Sequence, residues 1–289
     1  MIDLHTHTNF SDGSLSPEEL IDLAIETGVT VLAITDHDEI GALPSADQYA
    51  ENKEIKIVPG VELSIDYSLK AGAHLHLLGM FIDHHNQELQ MVLKDLKAAR
   101  EVRIYEMVDR INALGHNLKY AEIKTLVGHG SAGRPHLARL LIKRGIVKSV
   151  YEAFERYLSA GRPGHVPKKK LKIEPAINLI HSAGGLAVLA HPNSLRFDQY
   201  HKLGEEILKL QTKGLDGFEA YYYNHDRYFT QWLLEFAVKH GLCISGGTDF
   251  HGSARPNIKL GKGYGAFSVH PSIYDKLHEF WTSKQKLPE

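Results

Sequence analysis

The chain has 289 residues, 43% of them hydrophobic, a net charge of −2 and a single cysteine, Cys243. That is enough apolar material for a sizeable core, in one large domain or one domain with an insertion, and the lone cysteine excludes an internal disulfide or a thiolate cluster. No apolar run reaches the roughly 18 residues of a membrane span and no secretory leader opens the chain, so a cytoplasmic enzyme without a membrane partner is expected, and any metal must be held by nitrogen and oxygen.

Ile2-Asp3-Leu4 begins a buried strand, and His5 and His7 follow two residues apart, a spacing that puts both imidazoles on one face of a strand. Asp12, before the turn residue Gly13, can fold back to the same point and complete a set of ligands for a divalent metal. Ser16-Pro17-Glu18-Glu19 is a capping box with proline at the first helical position, and the helix ends at Gly28. Thr30–Thr35 is apolar without alternation, as in a parallel sheet covered on both faces, and stops at Asp36-His37-Asp38. A third strand runs from Ile55 through Pro59-Gly60 to Glu62 and Ser64, and a fourth, His74–Ile82, carries His74 and His76 in alternation.

Between 86 and 172 the pattern turns helical. One long helix carries Leu89 to Leu114, and shorter ones follow at Ala121–Val127, Pro135–Arg144 and Val150–Leu158. Residues 131–172 hold eleven lysines and arginines against Glu152 and Glu155, a local charge of +9 in a chain of net −2. An acidic body with one basic segment suits metals on the body and an anionic ligand facing the segment. Strand–helix alternation then resumes with helix Pro175–Ala183, strand Leu186–Ala190 ending at His191, strand Phe218–Tyr221, helix Arg227–His240, strand Leu242–Ser245 delivering Asp249 and His251, strand Gly265–Val269 and helix Ser272–Thr282. The reading is an α/β barrel from 1–85 and 173–289, with 86–172 a basic helical insertion that caps the substrate. An active site is expected where the strands end.

His5, His7, His37, Glu62, His76, His191, Asp249 and His251 all stand at or just past predicted strand C-termini, with Asp12 in the first strand–helix loop. Strands far apart in sequence converge at a barrel mouth, so these nine donors should meet. They suffice for two or three divalent ions. Asp36 and Asp38 flank His37 and are expected to orient it.

The stretches Asp-Leu-His5-Thr-His7 with Ser11-Asp12-Gly13, Ile-Thr-Asp-His37-Asp, Pro-Gly-Val-Glu62, His76-Leu-Leu-Gly, Ala-His191-Pro and Gly-Gly-Thr-Asp249-Phe-His251 resemble, in order and spacing, the successive motifs of the polymerase and histidinol phosphatase (PHP) family. The resemblance implies a distorted (β/α)7 barrel with a two- or three-metal centre, the nine named donors as its ligands, manganese, zinc, iron or magnesium as the ions, and phosphoester hydrolysis as the activity. Metals neutralise phosphate oxygens and lower the pKa of a bound water to about 7, so no protein nucleophile is needed.

Gly133-Arg134-Pro-His136-Leu-Ala-Arg139 and Tyr157–Pro167 resemble the branch that acts on nucleoside 3′,5′-bisphosphates and short 5′-phosphorylated RNA, which implies Arg134 and His136 as phosphate contacts. Independently, Pro135 begins a helix, so Arg134 stands where free N–H groups and the dipole favour an anion, with a planar fork suited to phosphate. Lys168 opens a Lys168–Lys170 run that adds cations; Ser64, Tyr223 and His225 are further candidate contacts, Tyr223 by stacking a base. No protein partner is implied. Histidinol-phosphate phosphatase is the alternative within phosphoesterases. An amidohydrolase and a non-catalytic metal-binding module are the alternatives outside them.

Overall fold

The computed structural model of the chain describes residues 1–127 and 132–286. The strand β1 (Ile2–Asp3) pairs in parallel with β2 (Val31–Ile34), which is buried along its whole length. Between them α1 (Pro17–Thr27) starts on the Ser16/Glu19 capping box and ends where Gly28 turns left-handed at φ 78. A helix α2 (Leu43–Ala50) leads to β3 (Lys56–Asp66), a single strand that changes partners half-way. Lys56–Pro59 lie parallel to β2, and Gly60–Ile65 pair antiparallel with β4 (Leu75–Met80). Proline is tolerated at that switch, and Gly60 is required there: a β-carbon would come within 2.8 Å of the Thr35 methyl.

The insertion follows as α3 (Gln87–Asn112), α4 (Tyr120–Val127), α5 (Arg134–Lys143) and α6 (Val150–Ala153), the last running into a π turn at Phe154–Leu158. A two-residue strand β5 (Leu171–Lys172) clips the end of the insertion to the end of β3. The barrel then continues through α7 (Ile173–Ser182), β6 (Leu186–Leu189), α8 (Tyr200–Gln211), β7 (Gly217–Tyr222), α9 (Arg227–His240), β8 (Cys243–Gly247) and α10 (Ser272–Gln285).

The strand order β1-β2-β3-β4-β6-β7-β8 gives a nearly closed, barrel-shaped sheet. Its seam joins β1 to the end of β8 through Leu4 N to Gly246 O at 3.1 Å and a Thr6–Phe250 bridge. Asp3 staples that seam: its buried carboxylate accepts from Thr248 N, Thr248 Oγ1 and Gly261 N. Two apolar layers fill the barrel and its helical jacket, and the insertion has a core of its own. α3 belongs to both, with Leu89, Leu93 and Leu96 in the barrel core and Ile104, Met107, Val108 and Ile111 in the insertion core. No helix among the described residues is long and apolar enough to cross a membrane.

Three expectations need correction. The stretch 265–269 is not a strand: only Val269 bridges Ile2, because Gly261, Gly263 and Gly265 all take positive φ and keep the chain turning. β4 runs antiparallel, so His76 reaches the mouth from near the N-terminal end of its strand, and Glu62 lies within β3 rather than past its end. Residues 200–211 form a helix where none was foreseen.

Candidate active site

All nine sequence-predicted donors meet at one end of the barrel. His7, Asp12, His37 and His251 form one group within ligand distance of one another; His5, His7, Glu62 and Asp249 form a second; His37, Glu62 and His76 form a third. His74 joins His76 and His191 in a fourth. Glu62 is the hub. Its Oε1 lies 2.7 Å from His76 Nδ1 and 3.0 Å from His191 Nε2, and its Oε2 lies 2.9 Å from His37 Nδ1, 3.2 Å from His7 Nε2 and 3.4 Å from His5 Nε2. Asp249 Oδ1 is 3.1 Å from His7 Nε2, and Asp12 Oδ1 is 3.2 Å from His251 Nε2.

These approaches are close but largely misaligned for hydrogen bonding. His5 Nε2, His7 Nε2, Asp12 Oδ1, His37 Nδ1, Glu62 Oε2, His191 Nδ1 and His251 Nε2 are buried without a hydrogen-bond partner. Buried polar atoms rarely stay unsatisfied, and six of them facing one another, with His191 Nδ1 beside them, is the arrangement a cluster of cations completes. The donor set, imidazole plus carboxylate without thiolate, fits zinc, manganese, iron or magnesium. Burial alone would raise the Glu62 carboxyl, but His37, His76 and His5 hold it well below the usual range; His251 and His37 hold Asp12 low, and Arg255, then His251 and His5, hold Asp249 low. Burial pushes His76 down to about 3 against the pull of Glu62.

The backbone around the cage is strained. His191 (φ 29) and Asp249 (φ 52) are both in the left-handed region, which costs a non-glycine residue on the order of 1–3 kcal/mol and clusters at functional sites. Supporting contacts hold them there. Glu219, on β7, accepts from His191 N at 2.8 Å and lies 3.2 Å from His5 Nδ1. Arg255 Nη1 lies 2.5 Å from Asp249 Oδ2, and the Tyr222 hydroxyl donates to the same oxygen. Neither Glu219 nor Arg255 was foreseen.

Asp36 and Asp38 do not orient His37 as expected. Asp36 binds Thr8 and Ser11, and Ser11 Oγ lies 3.4 Å from His7 Nδ1. Asp38 accepts from Arg100 at 2.6 Å, from Lys168 at 2.5 Å and from Ser64 N. It therefore ties the insertion to the cage, and Arg100 also donates to His37 O at 3.1 Å.

Beyond Asp38 the insertion gathers cations. Arg103, buried on α3, donates to Val166 O at 2.7 Å; Arg134, at the first position of α5, lies over the Phe154 ring. Among the described residues neither has a carboxylate within ion-pair distance, and Arg103 is pushed down to about 10 by burial, Arg134 and Arg100. His136 accepts from Gly133 N at Nδ1 and is pushed down to about 4, chiefly by burial, with Asp12 of the cage opposing. Lys168 sits between Asp38 and Ser64 Oγ, lowered to about 8 by burial and Arg100 against the pull of Asp38. Ser64 is thus a support for Lys168. A cavity of about 370 Å³ opens beside His76, His191 and Asp249, with Tyr223 in its wall. His225 is not part of that wall: its Nδ1–H donates to Ala220 O and its ring packs against Tyr222.

The PHP domain family model matches residues 3–174. A 5′-3′ exoribonuclease of Haemophilus influenzae is 36% identical over 86% of this chain and 89% of its own, and a 3′,5′-nucleoside bisphosphate phosphatase of Chromobacterium violaceum is 34% identical over 86% and 87%. The chain belongs to the PHP family. Among solved structures, an amidohydrolase from Chromobacterium violaceum, with sulfate bound and no metal, superposes with a TM-score of 0.81 at 32% identity over 96% of both chains. One from Bifidobacterium adolescentis, described as a metal-dependent phosphoesterase, gives 0.81 at 26% identity over 96% and 95%. This PHP protein is a metal-dependent phosphoesterase, and the expected distorted barrel is the observed one.

Proposed function

We propose that this PHP phosphoesterase hydrolyses nucleotides that carry a second, terminal phosphate: nucleoside 3′,5′-bisphosphates, and short RNA with a 5′-phosphate. The observation that carries the reading is the pair of partly or fully buried guanidinium groups, Arg103 and Arg134, without a carboxylate partner among the described residues and next to the cage through Arg100 and His37. Burying like charges together is costly, and a dianionic phosphate resolves the cost. Arg134 adds the helix N-terminus of α5, and His136 offers Nε2–H because Nδ1 is used as an acceptor. The named activities of the bisphosphatase and exoribonuclease relatives agree with this reading.

Two or three divalent ions, manganese first, would be held by His5, His7, Asp12, His37, Glu62, His76, His191, Asp249 and His251. Bound there they supply Lewis acidity and an activated water at neutral pH. The chain's own residues position the substrate. The terminal phosphate sits in the arginine cluster while the scissile phosphate lies over Glu62, and the reaction releases inorganic phosphate or a 5′-mononucleotide. A phosphate-release and product screen of pAp, 5′-phosphorylated oligoadenylate, histidinol phosphate and p-nitrophenyl phosphate, with metals varied, tests it. The first two should be preferred by at least tenfold in kcat/KM. Faster hydrolysis of histidinol phosphate than of pAp would overturn the nucleotide reading.

A further inference from the structure

The arginine cluster accounts for one side of the cage. A separate cavity shares His37, Glu62, His76, His191 and Asp249 with the cage, and the rest of its wall comes from barrel residues. At about 370 Å³ it falls in the range of small-molecule sites, roughly 300–1,000 Å³. Arg100, Arg103 and Arg134 do not line it. Asn193, Ser194 and Arg196 come from the turn after β6, and Tyr223 and Asn224 from the loop after β7.

That turn is held in a strained conformation. His191 at φ 29 and Arg196 at φ 54 bracket a 3-10 turn, held by Ser194 N to His191 O at 2.8 Å, Arg196 N to Asn193 O at 3.1 Å and Ser194 Oγ to His74 O at 2.9 Å. The Arg196 guanidinium lies on Gly72, where a β-carbon would come within 2.7 Å of Nη1. No carboxylate of the described residues pairs with it, unlike Arg255 beside Asp249. Tyr223 meets Tyr264 edge-on at 5.1 Å, with its ring partly exposed to the cavity.

A cation without an anion, amide and hydroxyl groups and an aromatic ring line a space that shares His37, Glu62, His76, His191 and Asp249 with the cage and none of the insertion's arginines. We infer that this cavity holds the nucleotide on the 3′ side of the scissile phosphate in an oligoribonucleotide, with Arg196 contacting the next phosphodiester and Tyr223 stacking on the base. The inference rests on the proposed placement of the terminal phosphate. Water then gives its hydroxyl to phosphorus and a proton to the departing O3′. The P–O3′ bond breaks, and the first nucleotide leaves as a 5′-monophosphate with a 3′-hydroxyl. The phosphoryl group stays on the 5′ oxygen of the nucleotide in the cavity, so the shortened chain carries a new 5′-phosphate and is again a substrate.

The variant Arg196→Gly removes the side chain and suits the left-handed backbone. It should lower kcat/KM for pApApA at least tenfold while pAp falls less than threefold, and Arg196→Lys should recover part of the loss. Binding of a 5′-phosphorylated phosphorothioate triadenylate to metal-stripped protein, read by fluorescence anisotropy, should weaken by a similar factor. Equal loss on pAp and pApApA would place the first nucleotide in the cavity and overturn the inference, as would no loss on either. A wild type that cleaves pAp but not pApApA sinks the subsite alone; one that cleaves neither sinks the nucleotide reading as well.

Discussion

Glu219 shows how much of the cage depends on a residue that need not touch a metal. Its carboxylate faces His5 Nδ1 and holds His191 N, so it orients one ligand ring and one ligand backbone at once. Partners of this kind are typically worth 10–100-fold in metal affinity or activity. Glu219→Gln should therefore lower both metal content, read by elemental analysis, and kcat by that factor, with the melting temperature little changed. Normal metal content would refute the role. Arg103 makes the opposite trade. Arg103→Met removes a buried cation from among cations, so it should raise the melting temperature while reducing kcat/KM for pAp by about 1.5–3 kcal/mol, the worth of a hydrogen bond to a charged group. Hydrolysis of p-nitrophenyl phosphate should change little; a loss of stability instead would mean that Arg103 is structural. The convergence of the nine donors was legible because eight stand at or in apolar runs and all nine fall in motifs that resemble those of the PHP family. Glu219 was not, since one glutamate inside Phe218–Tyr221 has no distinguishing spacing, and Arg103 reads as one more charge on a long helix.

At the scale of elements, apolar runs and caps carried most of the information. The capping box of α1 and the unalternating run of β2 were readable directly, but the antiparallel sense of β4 was not, because strand direction is set by pairing rather than by composition. α8 carries Leu203, Ile207 and Leu210 at helical spacing, yet Gln199 before it makes no side-chain cap, so nothing marks its beginning. The lower end of the barrel is held by Asp216, before β7. It accepts from Ala187 N at 2.8 Å and pairs with His181 at 2.8 Å and Lys284 at 2.5 Å, joining α7, β6 and α10. Burial works against its ionisation, but these partners outweigh it and depress its pKa. A depressed carboxyl contributes stability above the unfolded value, about 3.9, and loses it as pH falls through the folded value. Asp216→Asn should cost about 1–3 kcal/mol at pH 7, with the two surface partners partly screened. The gap to wild type should close below pH 4 in urea melts; a gap constant from pH 7 to pH 3 would remove the charge from the account.

For the whole molecule, the cage couples stability to its ions. Ions bound only to the folded state stabilise it by mass action. Chelation should lower the melting temperature, and Glu62→Gln, which weakens the hub shared by five histidines, should make the chelator without effect. An unchanged chelation shift in that variant would show that the ions bind elsewhere. The change from barrel to insertion was legible as a switch from strand–helix alternation to helices. The sharing of α3 by two cores was not, because Arg100 and Arg103, which break the buried face between Leu96 and Ile104, read as surface charges on one continuous helix.

The insertion also sits in the middle of a strand pairing, and this bears on the order in which the chain folds. Met80 of β4 pairs with Leu186 of β6, and the whole insertion lies between them. Closing a loop of about 100 residues rather than about 10 costs roughly 2 kcal/mol more in chain entropy. An insertion that collapses first on its own core, with β5 clipped to β3, shortens that loop before the barrel zips shut. Leu141, fully buried in the insertion core, is the position to perturb. Leu141→Ala should slow refolding more than it speeds unfolding. Trp232 and Trp281 both lie in barrel helices, so their fluorescence follows closure of the barrel rather than of the insertion. A variant that changed only the unfolding rate would mean that the barrel closes first and the insertion is assembled on a finished sheet.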